Sequence, residues 1–247
     1  MNRTWIVLSF VLVGALGLGA LAAPPAQAQE AGAEAATPAQ RGGGGFFAAG
    51  VNSVDLGPLN RRLSEAGYPT FSSELFAVGG GGYGVVADRL LLGGEGYGLI
   101  APSRGFRGRE VSAGGGYGLF TVGYRVRPTG PLAVIPQVGV GGGGLSLDIG
   151  NREAAEFDDV LDDPNREASL EKGSLLLSLG VGAEYRLTTP EEPGGFLIGL
   201  RAGYLLSPYD TDWTLGEDRL AGSPDASFEG PYVRVTIGGW GDDEGDE

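Results

Sequence analysis

Residues 74–102, ELFAVGGGGYGVVADRLLLGGEGYGLIAP, restrict the fold more than any other stretch of this chain. Two glycine-laden runs flank Ala87-Asp88-Arg89. Glycine costs a helix interior about 1 kcal/mol relative to alanine, and each run carries several, so neither reads as a helix. A period of two fits instead. In the second run Leu91, Gly93, Glu95, Tyr97 and Leu99 share one face, and Leu90, Leu92, Gly94, Gly96, Gly98 and Ile100 share the other. One carboxylate in mid-strand, opposite an uncharged face, predicts lipid on one side and a crowded polar interior on the other. The stretch reads as a hairpin of a membrane β-barrel.

The N-terminus predicts export. Arg3 is a short positive region, residues 5–18 are apolar, and Ala26-Gln27-Ala28 supplies a small-x-small cleavage site. Residues 1–28 therefore read as a signal peptide. The apolar run is shorter than the ~20 residues of a transmembrane helix, and no later stretch reaches that length. Residues 29–41 read as a flexible periplasmic lead-in, 42–241 as the barrel and 242–247 as an acidic tail. Cysteine is absent, which excludes disulfides, thiol chemistry and an acylated N-terminal cysteine. A net charge of −14 argues against nucleic acid and anionic lipid as partners. Acidity together with a single lysine, Lys172, among 17 basic residues suits a salt-adapted source or a GC-rich genome.

Eight strands are expected, near residues 42–56, 74–86, 89–101, 110–127, 132–149, 174–187, 196–206 and 231–240. A short helix is expected at 59–66, ended by Gly67 and Pro69. Long connections follow strands one, three, five and seven; short ones follow two, four and six. That alternation belongs to outer-membrane barrels and puts both termini in the periplasm. Facing agrees. Leu175, Leu177, Leu179, Val181, Ala183, Tyr185 and Leu187 make one apolar face, opposite Ser174, Ser178, Glu184 and Arg186. Phe196, Ile198, Leu200, Ala202, Tyr204 and Leu206 oppose Arg201, and Val233, Val235 and Ile237 oppose Arg234 and Thr236. Phe120, Val122, Tyr124 and Val126 oppose Thr121 and Arg125. An arginine on the lipid side at mid-membrane would cost about 2–4 kcal/mol, which accounts for this sorting.

In strand count, loop alternation and facing, residues 42–240 resemble the small eight-stranded outer-membrane barrels of the OmpA/OmpX/OmpW type. The resemblance implies an all-β, single antiparallel up-and-down transmembrane barrel, inserted by the barrel-assembly machinery among outer-membrane lipid. It also implies a monomer. Such barrels close with an aromatic at or near the C-terminus; here Trp240 is the candidate, with seven residues after it.

The inward residues Glu95, Arg125, Glu184, Arg201 and Arg234 predict a carboxylate–guanidinium network across a lumen only wide enough for side chains. A narrow gated pore is the competing reading. GGGGYG, GGEGYG and GGGYG look like phosphate loops, but no GK[ST] and no helix follows them. Tyr83, Tyr97 and Tyr117 are instead expected inside, packed over neighbouring glycines. The carboxylates of loop 151–172 lack the order of an EF-hand and read as solvated, with Ca²⁺ binding left open. Catalysis is not expected, nor any cofactor: histidine is absent, and Lys172, placed at a loop end, has no partner motif for Ser–Lys chemistry. The function expected is structural or surface-interactive, with an unknown surface ligand. Its alternatives are a conduit for a small solute and a soluble exported lipocalin-like barrel.

Overall fold

The computed structural model describes residues 41–87, 89–106, 109–151, 167–188 and 194–243. The signal peptide, nearly all of the lead-in, most of the acidic loop and the end of the tail lie outside the described residues.

Eight long antiparallel strands close into a barrel: β1 (Arg41–Ser53), β2 (Glu74–Val86), β3 (Leu90–Ile100), β4 (Arg109–Tyr124), β5 (Leu132–Asn151), β6 (Glu167–Thr188), β7 (Gly194–Asp210) and β8 (Gly230–Asp243). Each pairs with its sequence neighbours. The first also pairs with the last, from Arg41↔Asp243 to Asn52↔Tyr232, so no barrel strand keeps an unpaired edge. Three shorter ribbons extend the sheet at its rims: Arg104–Phe106 on β4, Val126–Thr129 on β5, and the hairpin of Thr214–Leu215 with Asp218–Arg219 on β6. Among the described residues no helix is long and apolar enough to cross a membrane.

Side chains alternate between the two surfaces. Phe47, Phe76, Phe120, Val138, Leu179, Phe196 and Ile237 stand on the outer wall, each more than half exposed. Glu95, Arg125, Glu184, Arg186, Arg201 and Arg234 are all buried inside. The outer wall is uneven. On β6, β7 and β8 it is filled with branched and aromatic side chains, whereas β2 to β5 carry a bare patch. There Gly80 and Gly82 lie opposite Gly96 and Gly94, Gly96 and Gly98 opposite Gly118 and Gly116, and these opposite Gly142 and Gly144.

Several boundaries differ from the sequence-based expectation. β6 starts well inside the expected acidic loop, at Glu167, and β5 runs slightly further than expected, to Asn151, because the hairpin continues past the apolar belt. In the added part of β6 the outward positions are Ser169 and Glu171, opposite Asp148 and Ser146, so the oily face that marked the strands is missing. Lys172 is consequently not at a loop end: it lies in β6, buried, opposite Leu145. β4 stops at Tyr124, and Arg125 sits in the break before Val126–Thr129, its N–H bonded to the carbonyl of Arg89.

At the end with the long connections, the lumen is apolar and capped. Helix α1 (Gly57–Glu65) buries Leu59 and Leu63 in one cluster with Val54, Leu56, Phe71, Trp213 and Phe228. The Asn60 amide donates to the Phe71 carbonyl and accepts from the Phe71 N–H, both at 2.9 Å. Asp55 and Ser227 exchange backbone hydrogen bonds and tie this loop to the one after β7. Asn60→Ala removes two hydrogen bonds, about 2 kcal/mol of local stability. Trypsin should then cut at the exposed Arg61 and Arg62 roughly 30-fold faster in the vesicle-inserted barrel. An unchanged cleavage rate would show that Asn60 does not hold the cap.

Candidate functional site

The charged lumen is built from positions that alternate inward on six strands. β3 supplies Glu95 and Tyr97, β6 Glu184 and Arg186, β7 Arg201, β8 Arg234 and Trp240, β2 Tyr83 and β4 Tyr117. Glycines on facing strands make the room. A Cβ on Gly79 would meet the Tyr97 Cδ1 at 2.8 Å, one on Gly44 the Tyr83 ring at 2.9 Å, and one on Gly143 the Tyr117 Cβ at 2.7 Å.

Three sets of contacts span the full diameter, each joining strands four apart. Arg201 of β7 reaches Glu95 of β3 at 2.8 Å and also binds Glu184 at 3.3 Å. Tyr83 of β2 donates to Glu184 of β6 at 2.9 Å and accepts from Arg186 at 3.1 Å. Arg234 of β8 donates to the hydroxyl of Tyr117 on β4 and to Asn52 at 3.0 Å, and Asn52 in turn donates to Tyr117 at 3.1 Å. Longer ion pairs, both 3.9 Å, join Arg234 to Glu95 and Arg186 to Glu184.

Burying ions this deeply is costly unless partners replace the lost water. The guanidiniums gain further compensation from aromatic faces. Arg234 lies 3.7 Å from the Tyr97 ring centroid and 4.0 Å from that of Tyr232, Arg201 lies 3.8 Å from Phe46, and Arg186 lies 4.8 Å from Trp240. Glu95 Oε1 and Arg201 Nε lack hydrogen-bond partners. Beside them is a void of about 10 Å³, lined also by Tyr83, Thr121 and Gln137, which takes at most one water.

The structure thus brings Glu95, Glu184, Arg201 and Arg234 into one connected group and places Tyr83, Tyr97 and Tyr117 against it. Arg125 is buried within 5.9 Å of the Tyr83 ring centroid but sits at the margin, in the break after β4. Sequence reasoning placed Arg186 on the inner face but left it, Asn52 and Tyr232 out of the network. The inward phase of Arg186 beside Glu184 was the available signal; the facing of β1, hence of Asn52, was not readable through Gly42–Gly45. Among the described residues no group of three or more His, Cys, Asp or Glu residues could hold a metal ion.

No family model and no curated protein matches the sequence. Among solved structures, 13 chains match. One is Neisserial surface protein A, at 12% identity and a TM-score of 0.37, over 81% of this chain and 95% of that one. At that identity and score the likeness says nothing about chemistry.

Proposed function

We propose that this chain is an integral outer-membrane β-barrel with a side-chain-plugged lumen, whose role is structural or surface-interactive. One observation carries the reading: the closed sheet turns an oily wall outward while its buried ionised groups point to the axis. In water such a wall would drive aggregation; in hydrocarbon it is the stable arrangement. The signal-like N-terminus supports export, and the short connections at the end that holds both termini favour a periplasmic side for them. There the assembly machinery would meet the last strand and Trp240. The long loops and the capped mouth then face outward, as the surface on which an interaction would fall. The three cross-lumen contact sets and a void of one-water size support a plug rather than a channel.

The mature chain is expected to fold from urea into phosphatidylcholine vesicles and migrate faster in unheated than in heated electrophoresis samples. It should also stay with the membrane through an alkaline carbonate wash. Planar bilayers containing it should show no steady conductance. Release by buffer alone would end the membrane reading, and large stable conductance would end the plug.

A further inference from the structure

We infer that the void beside Glu95 and Arg201 is the site of one resident water molecule, and that this water joins β5 to the charged network through Gln137. The inference deepens the plug proposed above and rests on it. Glu95 uses its two oxygens unequally. Oε2 takes the close ion pair with Arg201 at 2.8 Å and the hydroxyl of Tyr97 at 3.3 Å. Oε1 has the Arg234 Nη1 at 3.9 Å, too far for a hydrogen bond, and no hydrogen-bond partner. The Nε of Arg201 has none either. Glu95 is 6% exposed and Arg201 5%, so bulk solvent serves neither atom, and an orphaned donor and acceptor at that depth are costly. Arg186, Arg234, Thr236 and Trp240 also carry atoms without hydrogen-bond partners, but none of these residues lines the void, whereas Glu95 and Arg201 both do.

Size and charge together select the occupant. About 10 Å³ is room for one water and nothing larger. The occupant must donate to the Glu95 Oε1 and accept from the Arg201 Nε–H, and water does both. A metal cation would confront the guanidinium, and a halide would confront the carboxylate. A buried water makes about three hydrogen bonds, so a third partner is needed. Tyr83 lines the void, but its hydroxyl already donates to Glu184 and accepts from Arg186. Gln137 lines it as well, is buried, and makes no side-chain hydrogen bond to another described residue. Its amide offers both a donor and an acceptor.

The third hydrogen bond has a structural consequence. Asn52 of β1, Tyr83 of β2, Glu95 of β3, Tyr117 of β4, Glu184 of β6, Arg201 of β7 and Arg234 of β8 are joined by direct contacts. Among the described residues β5 places no side chain in that group. Its inward positions near this level are Ala133, Ile135, Gln137 and the glycines 139, 141 and 143, of which Gln137 alone has a polar side chain. A water held by Glu95, Arg201 and Gln137 brings the eighth strand into the network, so that every strand of the barrel is tied across the axis.

Crystals of the mature chain, refolded in detergent and diffracting well enough to show ordered solvent, test this directly. One water is expected within about 3.2 Å of the Glu95 Oε1, the Arg201 Nε and the Gln137 amide. Crystals grown in rubidium and, separately, in bromide should show no anomalous peak in the void. An empty void, or a peak from either ion, overturns the inference. Gln137→Met keeps the bulk of the side chain and removes its amide, so the water should vanish or fall below half occupancy. Full occupancy in that variant would leave β5 outside the network and overturn the second half of the inference. The wild-type map decides on the water even if the variant does not fold. An empty void in a barrel that stays silent in planar bilayers refutes the site and spares the plug; steady conductance removes the plug and the inference with it.

Discussion

Gly141→Ala is expected to lower the unfolding free energy of the vesicle-inserted barrel by about 3 kcal/mol or more, the upper range for overpacking. Gly118→Ala, one position away in the adjacent strand register, should leave it within about 0.5 kcal/mol or raise it slightly. Gly141 faces the lumen. A Cβ there would fall inside the van der Waals envelope of the Gly118 carbonyl oxygen and lie 2.9 Å from the Leu119 Cα, both backbone atoms that cannot swing away. Gly118 faces outward, and its added Cβ would meet nothing closer than the Glu95 carbonyl oxygen at 3.9 Å. The same division separates the inward Gly143 from the outward Gly94, Gly142 and Gly144. Gly141, Gly143 and several other inward glycines are therefore demanded by strand coiling around a narrow lumen, and several outward ones are not. Urea titration of the two variants in vesicles tests this, and equal midpoints would show that the wall yields where the geometry says it cannot.

Arg201→Met should be the most damaging change in the charged lumen, at about 3–5 kcal/mol, because it takes the closest cation from two buried carboxylates at once. Arg201 is the close ion-pair partner of Glu95, and with Arg186 it is one of two held by Glu184. Adding Glu95→Gln to Arg201→Met should recover part of the loss, since an amide left without a counter-ion is cheaper to bury than a carboxylate. The double-mutant cycle then gives a coupling of about 1 kcal/mol or more. Strict additivity of the two substitutions would mean that water, rather than Arg201, solvates Glu95.

The parts of this architecture that could be read from sequence are those where the apolar outer wall leaves a signature. From Leu175 to Leu187 the outward set is uninterrupted, so β6 and its inward Glu184 and Arg186 could be placed within the belt. Beyond the belt that signature ends. Ser169 and Glu171 face water, their segment looks like a polar loop, and Lys172 was misplaced with it. Glycine hides facing in a different way: residues 42–45 carry no side chains to show a phase, so Asn52 could not be assigned to the lumen. Trp213 and Phe228 sit in a connection whose polar composition gives no hint that they pack in one cluster with a helix far earlier in the chain. The charges are legible because misplacing one is expensive; their partners depend on which strands stand opposite, and that is fixed only on closure.

The pairing of β1 with β8 carries a kinetic consequence. Every other ladder between the eight barrel strands joins strands adjacent in sequence, whereas this one unites residues some 190 positions apart. Bringing such distant segments together costs about 5 kcal/mol of chain entropy before any contact repays it, so this seam is the natural last step of maturation. Until it zips, the nascent sheet presents two raw margins to its neighbours, so the yield of folded protein depends on how long those margins stay open more than on the thermodynamics of the finished cylinder.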